Sequence, residues 1–256
     1  MRDGHEREPL STMVNAPRVS SSGLDVVFVD LNASADLLDR QETTAPRLAP
    51  SDIVRVERLA DDPDRQRLWR TARIATRIVL EAVAGARLRR VDFIVEAGGR
   101  PGLGEGMPHF SVSHSGNAAL IAVSRQAPIG VDIERLRPLS MNADRRNRII
   151  AAATGSASDA RFDPDRDTDI QRAWVRLEAI AKVRGTGIGV LLTEKAVIGG
   201  DRPRVHDNAH SPLDIVELDV PEPYVAAIAA ANLPQEIAVR TFPSSADDLA
   251  AFLSRQ

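Results

Sequence analysis

The order of strand-like and helical segments along the chain predicts a mixed α/β (α+β) fold. Two observations support this prediction. First, short runs of strand composition alternate with long stretches of helical periodicity. Second, the same order of elements, a strand followed by a helix and then by several strands, occurs once before and once after about residue 128. The chain has 256 residues, enough for one large domain or two small ones.

The N-terminal elements follow from composition and spacing. Residues 1–23 are polar and interrupted by proline, serine and glycine, which predicts a disordered leader. Residues 24–31 have strand composition, and a helix is predicted to begin near Ser51, with that serine as its cap. Apolar residues at helical spacing predict a long helix over residues 64–84. The remaining predictions are strands over 91–95, 110–113 and 118–123, with a glycine-punctuated loop over 98–106.

The C-terminal elements begin with a predicted strand over residues 129–133. Helices are predicted over 144–152 and 170–183, separated by a polar loop at 155–169. Strands over 196–198, 215–218 and 224–230 follow, then a short terminal helix capped by Ser244 or Ser245. The predicted organisation is a leader (1–23), an N-terminal half (24–126), a C-terminal half (127–240) and a C-terminal tail or short helix (241–256).

Composition excludes several classes of function. The formal net charge of −3 gives no case for nucleic-acid binding, and the absence of cysteine excludes disulfides, thiolate zinc sites and thiol nucleophiles. No apolar stretch approaches the roughly 20 residues that span a bilayer. The charged N-terminus lacks the apolar run of a secretory signal, so a cytoplasmic location is expected.

Asp132 and Glu134 are two apart on a predicted strand, so their side chains project from the same face. Two carboxylates on one face repel unless a positive charge lies between them, and Mg²⁺ binds one or two protein carboxylates together with phosphate oxygens. Taken alone, however, this pattern is more often a pair of solvated acids on an exposed strand.

Trp174, Glu178 and Lys182 form one stripe at helical spacing. On its own this stripe is most simply a helix salt bridge beside a core tryptophan. The functional alternative makes Glu178 a third metal ligand or a general base and places Lys182 on a phosphate. A site built only from oxygen ligands suits Mg²⁺ or Mn²⁺ rather than zinc.

Ser113 and His114 lie where a strand runs into a turn, a setting that can hold a phosphate or simply contain a satisfied histidine. The glycines at 102, 104 and 106 are not closely followed by a helix, so a dinucleotide-binding loop is not supported. The arginine-rich stretch from Arg55 to Arg90 either meets an anion or forms a solvated helix face with interleaved acids.

In combination, these segments resemble the 4′-phosphopantetheinyl transferases of the surfactin-synthetase-activating (Sfp) type. That family has, in order, the elements G-K-P, F-x-[IV]-S-H-[ST], G-[IV]-D-[IV]-E and W-x-x-K-E-A-x-x-K. The resemblance covers roughly residues 48–230. The corresponding segments are Gly99-Arg100-Pro101, Phe110-Ser111-Val112-Ser113-His114-Ser115, Gly130-Val131-Asp132-Ile133-Glu134 and Trp174-Val175-Arg176-Leu177-Glu178-Ala179-Ile180-Ala181-Lys182.

The resemblance implies an enzyme, a holo-[acyl-carrier-protein] synthase. Such an enzyme transfers the 4′-phosphopantetheine arm of coenzyme A (CoA) to a serine of an acyl or peptidyl carrier protein and releases 3′,5′-ADP. It also implies a monomer with a pseudo-symmetric two-lobed fold, in which each half is a small antiparallel-rich sheet packed with a long helix. The cofactor would be Mg²⁺, with Mn²⁺ as the alternative, and no nucleic acid or membrane would be needed.

The resemblance also implies roles for individual residues. Asp132, Glu134 and Glu178 match the metal ligands, and Glu178 would take the proton from the carrier serine. Further residues match contacts to the CoA phosphates, the last two on a weaker match: Lys182, Ser113, His114, Arg100, Arg55 and Arg67.

The chain departs from the family pattern at two positions. Leu177 stands where the family usually has lysine, and Arg100 replaces the lysine of G-K-P with its charge kept. Two other functions stay open: a catalytically inactive CoA-binding module and a metal-dependent CoA pyrophosphatase. Release of phosphopantetheine without any carrier would identify the pyrophosphatase. The presence of all three acids and of Lys182 argues against loss of catalysis.

Overall fold

A computed structural model describes residues 23–96, 99–154, 162–195, 197–198 and 212–253. In chain order its helices are α1 (Ala35–Thr44), α2 (Pro50–Glu57), α3 (Pro63–Ala84), α4 (Ala143–Thr154), α5 (Asp167–Arg184), α6 (Ile188–Glu194) and α7 (Ala246–Leu253). The strands are β1 (Leu24–Asp30), β2 (Ile94–Val95), β3 (Pro101–Gly102), β4 (His109–Ser115), β5 (Ala118–Ser124), β6 (Ile129–Arg135), β7 (Asp214–Leu218), β8 (Tyr224–Ala230) and β9 (Val239–Thr241).

The first sheet has the strand order β4-β5-β1-β9. β5 pairs antiparallel with both β1 and β4, whereas β9 pairs parallel with β1. Alternate residues of β1 enter different cores: Val27 and Val29 pack with the helix α3, whereas Val26 and Phe28 pack towards the second sheet. This two-sided burial explains why residues 24–31 form an almost continuous apolar run.

The second sheet has the order β6-β8-β7, and all of its pairings are antiparallel. Its strand β6 contributes Ile129, Val131 and Ile133 to the core between the two sheets. The opposite face of β8 contributes Ala227 and Ala229 to a core with α4, α5 and α6. Each sheet therefore has helices on its outer face.

Helix α3 positions one wall of the site described below. It begins at Pro63, and the side chain of Asp62 accepts a hydrogen bond from the backbone N–H of Arg65 at 3.1 Å, which caps the helix. Its buried face includes Ala75, Ile78 and Val79 and packs on the first sheet. The predicted helix over 64–84 is thus present with almost the predicted bounds.

Helix α5 packs unusually close to β6 because residue 130 is glycine. A Cβ at Gly130 would lie 2.1 Å from the carbonyl oxygen of Ala179 and 2.9 Å from the backbone nitrogen of Val183. Real Cβ atoms do not approach backbone atoms this closely. The absence of a side chain at this one position therefore lets the helix rest directly on the strand.

Several predicted elements need correction. Helix α2 begins at Pro50, and the carboxylate of Asp52 accepts from the backbone N–H of Ala49 at 3.1 Å, so Ser51 is not the cap. The predicted strand over 91–95 is reduced to β2. Val197 and Ile198 are not in a strand, and Ala196 lies outside the described residues. Helices α1 and α6 and strand β9 were not predicted.

The mixed α/β class is confirmed. The disordered leader falls outside the described residues except for Gly23, as does part of the loop predicted at 155–169. The terminal helix is present as α7, and the Oγ of Ser245 accepts from the backbone N–H of Asp248 at 3.2 Å. Pseudo-symmetry and the division into two halves stay predictions. None of the described helices is both long and apolar enough to cross a membrane.

We predict that Gly130→Ala disrupts the packing of α5 on β6. The new methyl group would collide with helix backbone, and overpacking of this kind costs about 1–3 kcal/mol or more. Urea unfolding of the variant measures the loss. Gly189→Ala is the matched control, because a Cβ there meets nothing within 4 Å. Equal stability of the two variants would contradict the close approach.

We also predict that the C-terminal segment stabilises the first sheet. The backbone N–H of Phe242 donates to the carbonyl oxygen of Phe28 at 2.7 Å, and its side chain is 2% exposed in the core beside α7. Phe242→Ala should therefore lower the free energy of unfolding by about 3–5 kcal/mol. A loss below about 1 kcal/mol, measured by urea unfolding, would show that this segment adds little.

Candidate active site

A cleft of about 330 Å³ lies between the helices α3 and α5, beside strand β4. Its walls carry side chains of both signs. From α3 come Trp69, Ala72, Arg73 and Thr76; from β4 come Phe110, Ser111, Val112 and His114; and from α5 come Glu178, Ala181 and Lys182. Pro101 of β3 and Ile188 of α6 also line it, and the connecting segments add Gly99, Arg100, Gly185 and Gly187.

Asp132 lies immediately behind this cleft and is 5% exposed. Its Oδ1 accepts two hydrogen bonds, from the Oγ of Ser113 at 2.6 Å and from the Nζ of Lys182 at 2.8 Å. Its Oδ2 is buried and has no hydrogen-bond partner among the residues that the structure describes. A buried carboxylate oxygen without a partner is costly unless a donor or a cation satisfies it. Asp132 therefore has one oxygen committed and one available.

Lys182 connects Asp132 to the cleft. Its Nζ also donates to the carbonyl oxygen of Val131 at 2.9 Å, and its side chain is about a quarter exposed, at 28%. Lys182 and Glu178 are one turn apart on α5 and both line the cleft. The close approach of α5 to β6 at Gly130 brings this ammonium group within reach of Asp132.

Glu178 has an unusual protonation equilibrium. Burial, followed by the negative charge of Asp132 and with a smaller contribution from Glu134, raises the pKa of Glu178 to about 7, while Lys182 opposes the shift. A carboxyl group with a pKa near neutrality can exchange a proton with a substrate at physiological pH. Asp132 and Glu134 thus lie near enough to Glu178 for their charges to affect its protonation.

Glu134 is held by a serine that the predicted site omitted. Its Oε2 accepts a hydrogen bond from the Oγ of Ser115 at 2.8 Å. Ser113 and Ser115 are two apart on β4, so their side chains share a face. The alternation of Ser111, Ser113 and Ser115 was the signal that could have identified Ser115.

His114 lies in a cationic part of the cleft. Loss of hydration and the positive charges of Lys182, Arg65 and Arg73 lower the pKa of His114, and Asp132 opposes that effect. The imidazole is therefore kept neutral to a lower pH than usual. An excess of positive charge around a cleft-lining side chain favours an anionic ligand.

Arg100 also lines the cleft, but its guanidinium is already paired. The Nε of Arg100 donates to the Oε2 of Glu96 at 2.9 Å, and its Nη1 donates to the carbonyl oxygen of Val183 at 3.2 Å. A ligand phosphate would have to share this cation with Glu96.

The arginines that face the cleft differ from the two named on the weaker sequence match. Arg55 on α2 is exposed, and Arg67 on α3 donates to the side chain of Asn32 at 3.0 Å; neither lines the cleft. Arg73 lines it instead, with its guanidinium carbon 4.9 Å from the ring centroid of Trp69. Trp69 and Arg73 are four apart on a predicted helix, and that pairing was the available sequence signal.

The two positions around the family's W-x-x-K-E element can now be described. Trp174 packs partly buried against the core of α4, α5 and α6. Leu177, where the family usually has lysine, is fully buried in the same core. A charged lysine side chain could not stay in this core without a large cost in free energy. Leucine at this position is therefore compatible with the packing seen here.

The structure brings most of the predicted residues to one place and leaves others apart. Around the cleft lie Asp132, Glu134, Glu178, Lys182, Ser113, His114 and Arg100. In the described part of the chain, no group of three or more His, Cys, Asp or Glu side chains forms a ready-made metal site. The metal assignment therefore stays a prediction.

Comparison with known proteins identifies similar chains. No model of a protein family matches this chain. It is 28% identical over 192 residues to the 4′-phosphopantetheinyl transferase HetI of Nostoc sp., a match that covers 73% of this chain and 80% of HetI. It is 29% identical over 146 residues to the 4′-phosphopantetheinyl transferase Sfp of Bacillus subtilis, covering 52% of this chain and 61% of Sfp.

A third relative agrees with these two. The chain is 29% identical over 144 residues to a putative 4′-phosphopantetheinyl transferase of Synechocystis sp., covering 55% of this chain and 58% of that protein. The match thus spans most of HetI and about three-fifths of the other two relatives. Together with the four ordered motifs around the cleft, these relationships show that the chain is similar to the 4′-phosphopantetheinyl transferases of the Sfp type.

Proposed function

We propose that this protein transfers the 4′-phosphopantetheine arm of CoA to a serine of an acyl or peptidyl carrier protein. The observation that carries the proposal is the group of three acids, Asp132, Glu134 and Glu178, at the edge of a cleft whose lining includes the cations Arg73, Arg100 and Lys182. A pyrophosphate group has negative charge for the cations, and its cleavage by a hydroxyl group needs a base. The cleft offers both.

The acids fit a divalent cation. Within the described residues the Oδ2 of Asp132 is buried without a hydrogen-bond partner. The oxygen ligands that the three acids could supply suit Mg²⁺ or Mn²⁺. Asp132, Glu134 and Glu178 would hold the ion. When bound, such an ion neutralises negative charge on phosphate oxygens. Its presence would also lower the repulsion that raises the pKa of Glu178.

The chain's own residues account for donor binding. Lys182 and His114 line the cleft and present a cation and a neutral imidazole to the phosphates, and Arg100 adds a charge shared with Glu96. Arg73 on α3 lies on the opposite wall. These groups orient the pyrophosphate and stabilise charge that develops on its oxygens during cleavage.

Glu178 is assigned the role of base. The serine oxygen of the carrier forms a bond to the phosphorus of the phosphopantetheine unit, and the bond from that phosphorus to the bridging oxygen of the pyrophosphate breaks. The electron pair of the broken bond leaves with 3′,5′-ADP. Glu178 accepts the proton of the serine hydroxyl, and its burial, which raises its pKa, makes it a stronger proton acceptor than an exposed carboxylate.

The proposal extends to the protein's setting. We propose a cytoplasmic monomer that acts on CoA and a carrier protein without nucleic acid or a membrane. This part rests on the family resemblance. The carriers of fatty acid, polyketide and nonribosomal peptide synthesis are the candidates for the partner.

The first functional prediction concerns transfer itself. With CoA and Mg²⁺, the protein should add one phosphopantetheine arm to an apo carrier, and intact-mass spectrometry would detect the gain. Glu178→Gln and Asp132→Asn should each lower the rate by about 100-fold or more, because each removes a base or a cation ligand. Glu57→Gln, an exposed acid at the end of α2, is the control and should act like the unaltered protein.

Three outcomes would refute this assignment. Full activity of both site variants would show that the acids are not needed. Carrier-independent release of phosphopantetheine would instead identify a CoA pyrophosphatase, and tight CoA binding without transfer to any carrier would identify an inactive binding module.

A second prediction concerns pH in the absence of metal. Because Glu178 has its pKa raised from 4.5 to about 7, the folded state retains its proton over a range in which the unfolded chain has lost it. Glu178 therefore makes the protein progressively less stable as pH rises from about 4.5 to about 7. In EDTA, the stability advantage of Glu178→Gln over the unaltered protein should be larger at about pH 8 than at about pH 5. A difference independent of pH would contradict the shift.

A further inference from the structure

Three serines on β4 form a row that faces β6; we call Ser111, Ser113 and Ser115 the serine row. β4 and β6 belong to different sheets. The row supplies hydrogen bonds between them: the Oγ of Ser111 accepts from the backbone N–H of Val131 at 3.1 Å, and the Oγ of Ser115 accepts from that of Arg135 at 3.1 Å. The hydroxyls thus hold the strand that carries the acids.

Two members of the serine row also contact those acids. Ser113 donates to the Oδ1 of Asp132 at 2.6 Å, and Ser115 donates to the Oε2 of Glu134 at 2.8 Å. Successive acids on β6 therefore meet successive hydroxyls on β4. Each carboxylate has one oxygen held by a serine.

The direction of the Ser115 hydrogen bonds is fixed by chemistry. A hydroxyl has one proton to donate and can accept through its lone pairs. Because the Oγ of Ser115 accepts from the N–H of Arg135, its own proton is left for Glu134. A carboxylate with one oxygen fixed in this way cannot rotate freely, so the orientation of its second oxygen is set as well.

The same reasoning applies to Asp132. Its Oδ1 accepts hydrogen bonds from both Ser113 and Lys182, whereas its Oδ2 is buried without a partner in the described ranges of the chain. The proton of Ser113 is used on this carboxylate, so the hydroxyl has none left for a phosphate. Its contribution to donor binding is therefore indirect.

We propose that Ser113 and Ser115 are positioning residues for the divalent cation, each holding one oxygen of an acid on β6 so that the other oxygen is presented to the ion. The inference rests on the proposed function, because the cation is part of that proposal. Ser115 does not line the cleft in which CoA is proposed to bind. The proposal gives it a role in the affinity for the divalent cation. Groups that orient metal ligands typically change affinity about 10–100-fold when removed.

The test is a Mn²⁺ titration of the full-length protein without CoA or carrier, followed by electron paramagnetic resonance of the free ion. Ser115→Ala should bind Mn²⁺ about tenfold or more weakly, and Ser115→Thr, which keeps the hydroxyl, should restore affinity to within about threefold.

Ser124→Ala is the matched control. Ser124 is a buried serine at the end of β5 whose Oγ accepts from the backbone N–H groups of Gln126 and Ala127, and within the described part of the chain it has no hydrogen bond to a carboxylate. It should lose stability without losing Mn²⁺ affinity.

The outcomes separate this inference from the proposed function. Unchanged Mn²⁺ affinity in Ser115→Ala, or no Mn²⁺ binding by the unaltered protein, would overturn the positioning role. Equal loss of affinity in Ser115→Ala and Ser124→Ala would also overturn it, by showing a general effect of destabilisation. Transfer to a carrier by the unaltered protein is measured on the same preparation, so failure of transfer identifies failure of the proposed function instead.

Discussion

The site depends on the close contact between helix α5 and strand β6. Gly130 permits it, because any side chain there would strike the carbonyl oxygen of Ala179, 2.1 Å from where a Cβ would lie. This contact places the stripe of Glu178 and Lys182 next to the strand that carries Asp132. Acids from two segments far apart in the sequence then meet at one edge of the cleft. Without this approach, Lys182 could not reach Asp132, and the cleft would lose its carboxylate edge.

Opposing charges are concentrated at that edge, and each has a consequence. Burial and neighbouring carboxylates raise the pKa of Glu178 to about 7, while nearby cations and lost hydration lower the pKa of His114. The side of the cleft with Glu178 therefore favours a bound cation, and the side with His114 favours a bound anion. A metal-bound pyrophosphate would complement both sides of the cleft, which supports the proposal that CoA binds together with a divalent ion.

Much of this site could be predicted from local spacing. The two-residue period of a strand placed Asp132 and Glu134 together, and the four-residue period of a helix placed Glu178 beside Lys182. Helix α3 was predicted almost to its bounds for the same reason. Spacing could not predict which face of α3 borders the cleft. Arg67 was therefore predicted to contact the CoA phosphates, whereas Arg73 is the arginine of α3 that lines the cleft. Strand β9 is only three residues long, and its partner β1 lies near the other end of the sequence. Its own residues therefore carry almost no pattern from which a strand could be predicted. The hydrogen bond between Ser115 and Glu134 joins two different sheets. It could not be predicted from local spacing, because it depends on how the sheets pack together.

The central claim is that one cleft holds a divalent cation on three acids and the nucleotide of the donor beside His114. The most direct measurement is a crystal structure of the protein grown with Mn²⁺ and 3′,5′-ADP, with anomalous differences recorded at the manganese edge. The account predicts an anomalous peak bonded to the Oδ2 of Asp132 and to Glu134 and Glu178, with a nucleotide phosphate next to Lys182 and His114. A manganese peak elsewhere, or a nucleotide bound outside the cleft, would contradict it.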